Sequence, residues 1–272
     1  MRARFLIDPA ARFSVHIGAF GGSQFVSGWN NTGGGIGEVA RDFNVKQLFV
    51  AAEPVTGLEF QVGGLYLNRG ENTEVSSYDN DGYILGERAT FRTAAGAFAQ
   101  LAATVGHIGE FRTPNVFERF RHLGDLNYGQ VLVGGRLGPR INVSVDYTYE
   151  AGRDILRQGV SVRLPPSVKL LTALKFEAYQ RLTEVAGQGF NVSGELRLTP
   201  AFAMSGGVLH IERHCLIPGY SSPNADRVER GTRFFTQGSY AISRELAVGW
   251  YQGEAFNTGY VIPNQHRFEI LV

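Results

Sequence analysis

Cysteine is nearly absent: Cys215 is the only one in 272 residues. That excludes an internal disulfide framework and any cysteine-rich metal site. Net charge is nearly absent too. The formal charge of +1 gives no bulk attraction to nucleic acid or to an anionic membrane surface. Long hydrophobic runs are missing. Leu48-Phe49-Val50-Ala51-Ala52 is typical and Glu53 ends it, far short of the roughly eighteen apolar residues of a membrane helix. A chain like this spans a membrane only with strands. The start, Met1-Arg2-Ala3-Arg4-Phe5-Leu6-Ile7-Asp8-Pro9, carries basic residues but no apolar core of a secretory signal. The expectation is a leader already removed, a fragment, or a chain that is not exported. Proline is modest at 10 while glycine reaches 35, which suits many turns and argues against a mostly helical protein.

What is present is alternation. Ile141, Val143, Val145, Tyr147 and Tyr149 alternate with Asn142, Ser144, Asp146, Thr148 and Glu150, unbroken period two with one apolar and one polar face. Ala151 to Asp154 reads as a turn into a second strand. There Leu156, Val160 and Val162 oppose Arg157, Ser161 and Arg163. The habit recurs. Val168, Leu170, Leu174 and Phe176 oppose Lys169, Lys175 and Glu177; Phe190, Val192, Leu196 and Leu198 oppose Asn191, Ser193, Glu195 and Arg197; Phe268, Ile270 and Val272 oppose Arg267 and Glu269. Such faces fit a half-buried soluble sheet and a membrane barrel equally.

The connections separate the two. Asp8-Pro9-Ala10-Ala11, Pro54 to Gly57, Ala94 to Gly96, Gly138-Pro139, Pro165 to Ser167, Thr199-Pro200 and Ser243-Arg244 are tight. Gly21 to Asn44, Asn68 to Gly82, Gly109 to Asn127, Tyr179 to Gly189 and Glu212 to Gly231 are long. They alternate, and Ala151 to Asp154 is the one short member on the long side. An up-and-down meander with tight turns at one end and long loops at the other is the layout of membrane barrels. Greek-key sandwiches mix connection lengths at both ends. Strands near ten residues match a tilted bilayer crossing, whereas soluble strands centre on about five or six. Aromatics stand near strand ends, as interfacial girdles require: Tyr66, Tyr83, Phe91, Phe98, Tyr128, Tyr149, Phe176, Phe190, Phe202, Tyr240, Trp250 and Phe268.

This strand–turn–strand–loop pattern resembles bacterial outer-membrane porins and related channel barrels over nearly the whole chain. The ending Phe268, Ile270, Val272 is partly similar to that family's insertion signal, with Val272 where an aromatic is usual. Arg2-Ala3-Arg4-Phe5 is weakly similar to porin-like families whose barrels begin with an Arg-rich hairpin. The resemblance implies one all-β domain over 1–272, an up-and-down antiparallel transmembrane β-barrel of about 14–16 strands in a bacterial outer membrane. It also implies passive diffusion of small polar solutes or ions through a hydrated lumen, with no enzymatic activity, no cofactor and membrane lipid as the surrounding partner. About fifteen strands are countable, while single-chain bacterial barrels are even. Either residues 1–11 form an arm outside the barrel, or an upstream strand completes it.

The expected pore-lining residues are Arg88, Arg92, Arg136, Asp146, Arg157, Arg163, Lys169, Lys175, Glu177, Glu195, Arg197, Arg267 and Glu269. Excess arginine and lysine bias a pore toward anions; the alternative is a mixed wall whose charges pair across strands. Gly21 to Asn44 and Gly109 to Asn127 are the expected constricting loops. The other motifs are weaker. Tyr78 to Gly82 has the flavour of a calcium loop without the spaced acids. His210 and His214, in a stretch that ends at Cys215, lie on extended chain about 13 Å apart, too far to share an ion, so no metal site is expected. Gly33 to Gly37 precedes no helix that could cradle phosphate. No Gly-x-Ser-x-Gly elbow exists, so no catalytic residue is assigned. A barrel hydrolase would need Ser or Asp beside a His at the loop end; a soluble sandwich would need Val143, Val145, Leu170 and Val192 in a core.

Overall fold

The structure, a computed structural model, describes residues 2–8, 10, 12–21, 43–72, 84–108, 115–150, 152–183, 187–212, 215, 231–256 and 264–271. The strands are β1 (Arg2–Leu6), β2 (Phe13–Gly21), β3 (Phe43–Val55), β4 (Leu58–Leu65), β5 (Ile84–Arg92), β6 (Phe98–Ile108), β7 (Tyr128–Arg136), β8 (Ile141–Glu150), β9 (Arg153–Arg163), β10 (Leu171–Gln180), β11 (Gln188–Thr199), β12 (Phe202–Ile211), β13 (Gly231–Ala241), β14 (Ala247–Ala255) and β15 (Asn264–Leu271). They form one fifteen-stranded sheet in sequence order, each antiparallel to the next. This is the up-and-down β-barrel architecture expected from the sequence. Residues 2–6 are hydrogen-bonded to β2, so they are a strand of the sheet and not an arm outside it. In the β1–β2 turn the Asp8 carboxylate accepts the Phe13 N–H at 2.7 Å, which holds its pKa below the ordinary value.

The faces are inverted relative to a soluble protein. On β8, Val145, Tyr147 and Tyr149 are exposed while Ser144, Asp146, Thr148 and Glu150 are buried. The same holds for Phe176 against Glu177 and for Phe190 and Val192 against Asn191. Pairing keeps the parity across strands: Val145 lies beside Val133, and Asp146 beside Arg157. Val145 and Val192 are 48% and 41% exposed, and Leu170 is 54% exposed, which rules out the sandwich core. A continuous apolar belt of this kind is stable only against lipid. Polar residues interrupt it in places, among them exposed Glu87 between Val62 and Val105, Gln158 between Val145 and Ala178, and Gln252 beside Thr236.

Exposed aromatics gather at both ends of the belt. Phe60, Phe91, Phe98 and Tyr240 stand near the tight turns, and Tyr147, Tyr149 and Phe190 near the loops, the two girdles of a bilayer crossing. Tyr128 departs from that expectation. It is buried on the inner face in a cluster with Phe49, Leu65, Ile84 and Ile108, and Tyr66 packs against the same cluster. A second inner cluster joins Ile155, Tyr179, Leu209, Ile211 and Cys215. The inner wall is therefore apolar near the loop end and polar at mid-height. Burial pushes the Cys215 thiol up to about 11, so it stays protonated at neutral pH.

Val145→Arg at mid-height of β8 is expected to cost about 2–4 kcal/mol of barrel stability in a bilayer, the range for a cation on the lipid face. Urea unfolding of the protein refolded into vesicles measures it. An unchanged midpoint would place that face elsewhere.

Candidate functional site

The inner wall is built by parity and then tied by pairs. Arg157 and Asp146 face each other across β8 and β9, both with fully buried side chains. Arg157 donates to Asp146 Oδ1 from Nε at 3.2 Å and from Nη2 at 2.9 Å. Thr148 Oγ1 donates to the same oxygen at 2.7 Å and accepts from Arg157 Nη2 at 2.6 Å. Gln130 Nε2 donates to Asp146 Oδ2. A buried charge pair persists only when its remaining donors and acceptors are filled in this way.

Arg88, also buried, donates to Thr104 Oγ1 at 2.8 Å, to Gln61 Oε1 at 3.3 Å and to the carbonyl of Tyr66. That last contact opens the principal feature of the site. Residues 66–72, which follow β4, lie along the inner wall and cross from β5 to β9. The Asn68 carbonyl accepts from Gln130. The Glu71 N–H donates to Ser144 Oγ at 2.8 Å. Asn72 closes a turn on the Arg69 carbonyl at 3.0 Å. Two glycines make room for it. A Cβ on Gly70 would lie 2.7 Å from Ser144, and one on Gly159 would lie 2.9 Å from the carbonyl carbon of Glu71 and 3.0 Å from Asn72 Oδ1. On β9 the inward series Arg157, Gly159, Ser161 therefore has a deliberate gap. Between the segment and the tight-turn side opens a mostly polar cavity of about 520 Å³, lined by Asn68, Glu71, Gln100, Arg136, Asn142 and Ser144 among others.

The expected lining residues divide by height. Arg88, Asp146, Arg157 and Glu177 are buried at mid-wall. Glu177 accepts from Tyr179 Oη and from Asn191 Nδ2 at 3.4 Å, with Lys175 Nζ 3.9 Å away. Nearer the turns, Arg92 pairs with Glu59 at 3.3 Å, and Arg136 donates to the carbonyls of Thr93 and Ala94. Arg163, Glu195 and Arg197 are exposed there. Lys169 is a correction: β10 begins at Leu171, and Val168 to Leu170 form an exposed bend. The turn that opens at Pro165 runs past Ser167, because the Val168 N–H bonds back to the Pro165 carbonyl at 2.9 Å, so the chain is still turning where the sequence pattern starts the strand. Register puts Arg267 opposite Tyr251 and Glu269 opposite Gly249, on the inner face; their side chains lie outside the described residues.

A further segment, in neither of the loops expected to constrict the lumen, folds inward among the described residues. The infolded segment comes from the β4–β5 connection. Of Gly21 to Asn44, residues 22–42 lie outside the described residues, as do Gly33 to Gly37, Tyr78 to Gly82, His214 and Val272. Of Gly109 to Asn127, residues 109–114 including Arg112 lie outside them. The rest carries a short helix, α1 (Val116–Arg119), and a 3-10 turn (Phe120–His122). It packs on the outer side of β3, β4 and β6. For hydrolytic chemistry, the described residues offer Ser14 Oγ and His16 Nε2 at 3.0 Å on β2, at the tight-turn end, with the imidazole stacked on Phe49. At the loop end His122 pairs with Asp125. Neither arrangement brings serine, histidine and carboxylate together.

No protein-family model and no curated protein matches this sequence. Solved structures do. A five-substitution variant of the porin from Rhodopseudomonas blastica aligns with 99% of this chain and 86% of its own, at 11% identity and a TM-score of 0.59. A triple variant of the same porin aligns over 99% and 86%, at 10% identity and 0.57. A third variant aligns over 98% and 86%, at 11% and 0.56. At that identity the likeness is one of fold. The fold is the porin-type β-barrel.

Proposed function

We propose that this chain is an outer-membrane channel that lets small polar solutes or ions diffuse passively through a hydrated lumen. The observation that supports this most directly is the inverted burial. An apolar belt faces outward, and a wall of polar and charged groups faces inward, with residues 66–72 folded against it. The porin variants that share the fold are channel proteins by name. Selectivity would come from inward charge and from the width left by the infolded segment. Arg157, Arg92 and Lys175 each have a carboxylate partner, whereas Arg88 and Arg136 bond neutral acceptors, so the wall's positive charge is offset only in part and a mild anion bias is expected from it. The remaining lining residues would act through water, with the exposed Arg163, Glu195 and Arg197 at the turn-side mouth meeting solute first. No cofactor and no catalytic group is part of this reading.

Stepwise ion currents in planar bilayers containing the refolded protein are the expected result. A barrel that is folded by heat-modifiable migration yet stays silent would overturn the channel reading.

A further inference from the structure

Outside the barrel, at its loop end, one group of side chains serves neither the lumen nor the lipid belt. Gly64, Leu85 and His107 sit side by side there on β4, β5 and β6. The chain returns over them after residues 109–114. Val116 of α1 is fully buried, and a Cβ on Gly64 would lie 2.4 Å from its Cγ2, so the missing side chain of Gly64 seats the helix. Asn115 caps α1 by accepting from the Phe117 N–H at 3.1 Å. The following 3-10 turn delivers His122, whose ring stacks on His107 with centroids 4.6 Å apart and planes within 8°. Asp125 then folds back, its Oδ2 3.0 Å from His122 Nδ1.

We propose that His107, His122 and Asp125 bind one divalent transition-metal ion of the zinc class and so fasten residues 115–125 to the outer rim of the barrel. One donor atom from each lies within 4.8 Å of the other two. Tetrahedral zinc at ordinary Zn–N lengths sets donors about 3.3 Å apart. The His122–Asp125 edge is already near that value, and binding requires the two stacked, partly exposed rings to tilt out of parallel so that both in-plane lone pairs meet the ion. The second observation is His107 Nδ1, which is buried and has no hydrogen-bond partner. Such an orphan is costly in a structure held by protein contacts alone; an ion on the shared edge of the two rings satisfies it. Two imidazoles and one carboxylate favour zinc, nickel, cobalt or copper over calcium and magnesium, which take oxygen. Three protein ligands leave a fourth position for water.

The tautomer follows. Arg121 Nε donates to His122 Nε2 at 3.1 Å, so Nδ1 carries the ring proton toward Asp125. An ion entering at Nδ1 moves that proton to Nε2 and releases Arg121, whose side chain is exposed. Arg119, close enough to His107 to act on it electrostatically, opposes the added charge. Affinity is therefore expected to be on the order of micromolar, below that of closed structural sites.

The test is titration of the refolded full chain in detergent micelles with Zn²⁺, by calorimetry. One saturable equivalent is expected, weakened at least tenfold in His107→Ala or His122→Ala. Arg121→Ala should bind as tightly as the parent or tighter. Asp125→Asn, at an exposed position, keeps the question answerable if a histidine variant fails to fold, and should also weaken binding several-fold. A second readout is trypsin cleavage after Arg121, which Zn²⁺ should slow at least threefold in the parent and leave unchanged in His122→Ala. Absence of saturable binding, or full binding retained in the double histidine variant or in Asp125→Asn, would overturn the proposal.

Discussion

Arg157→Ala is expected to destabilise the barrel by about 3–5 kcal/mol, the range for breaking one member out of a buried ion pair. The loss is not that of a contact alone. Asp146 would keep its charge with zero exposure, holding only the Thr148 and Gln130 donors. Thr148 Oγ1 would at the same time lose the guanidinium it accepts from. The double variant Asp146→Ala/Arg157→Ala removes both charges and should recover a large part of that cost, because the uncompensated carboxylate is what is expensive. Urea unfolding of the refolded protein, followed by tryptophan fluorescence, measures both. If the single and double variants are equally unstable, packing rather than charge compensation governs this stretch of wall.

Deleting residues 68–72, which removes the Asn68 carbonyl and Glu71 N–H moorings together with the segment, is expected to raise single-channel conductance roughly twofold or more, since a narrow passage dominates the resistance of a pore. The segment runs across the inner face from Arg88 on β5 to Gly159 on β9. Gly159→Leu tests the same point from the other side. Its side chain would occupy the place of the Glu71 and Asn72 backbone and push the segment off the wall, at a cost of about 1–3 kcal/mol for overpacking. The barrel should survive, with altered conductance. Currents identical to the parent in both variants would mean that solute does not pass this segment.

Strand existence was legible because period two and turn chemistry agreed. β8 lies where alternation places it, Ile141 to Glu150. Alternation also misled: Val168, Lys169 and Leu170 continue the pattern of β10 but belong to the turn that opens at Pro165, and a pattern cannot show where a ladder starts. The Asp146–Arg157 pair was half legible. Both residues read as inward, but a turn drawn through Asp154 sets Asp146 against Gly159. The true connection ends at Gly152 and β9 starts at Arg153. A two-residue slip preserves the face and changes every partner. The infolded segment was not legible because polar composition marks a loop without saying where it goes. The one trace of it is Gly159, a missing side chain in an otherwise polar inward series. His107, His122 and Asp125 escaped notice for a related reason. Four helical residues are too few to show a period, so nothing in the sequence folds His122 back onto His107.

The infolded segment is moored by its main chain. The Tyr66 carbonyl, the Asn68 carbonyl and the Glu71 N–H make the contacts to Arg88, Gln130 and Ser144. Side-chain exchanges at positions 68 and 71 therefore leave the moorings in place while changing what a passing solute meets. In such an arrangement the gauge of the passage and its chemical taste are inherited separately, and the second can drift through generations while the first is kept.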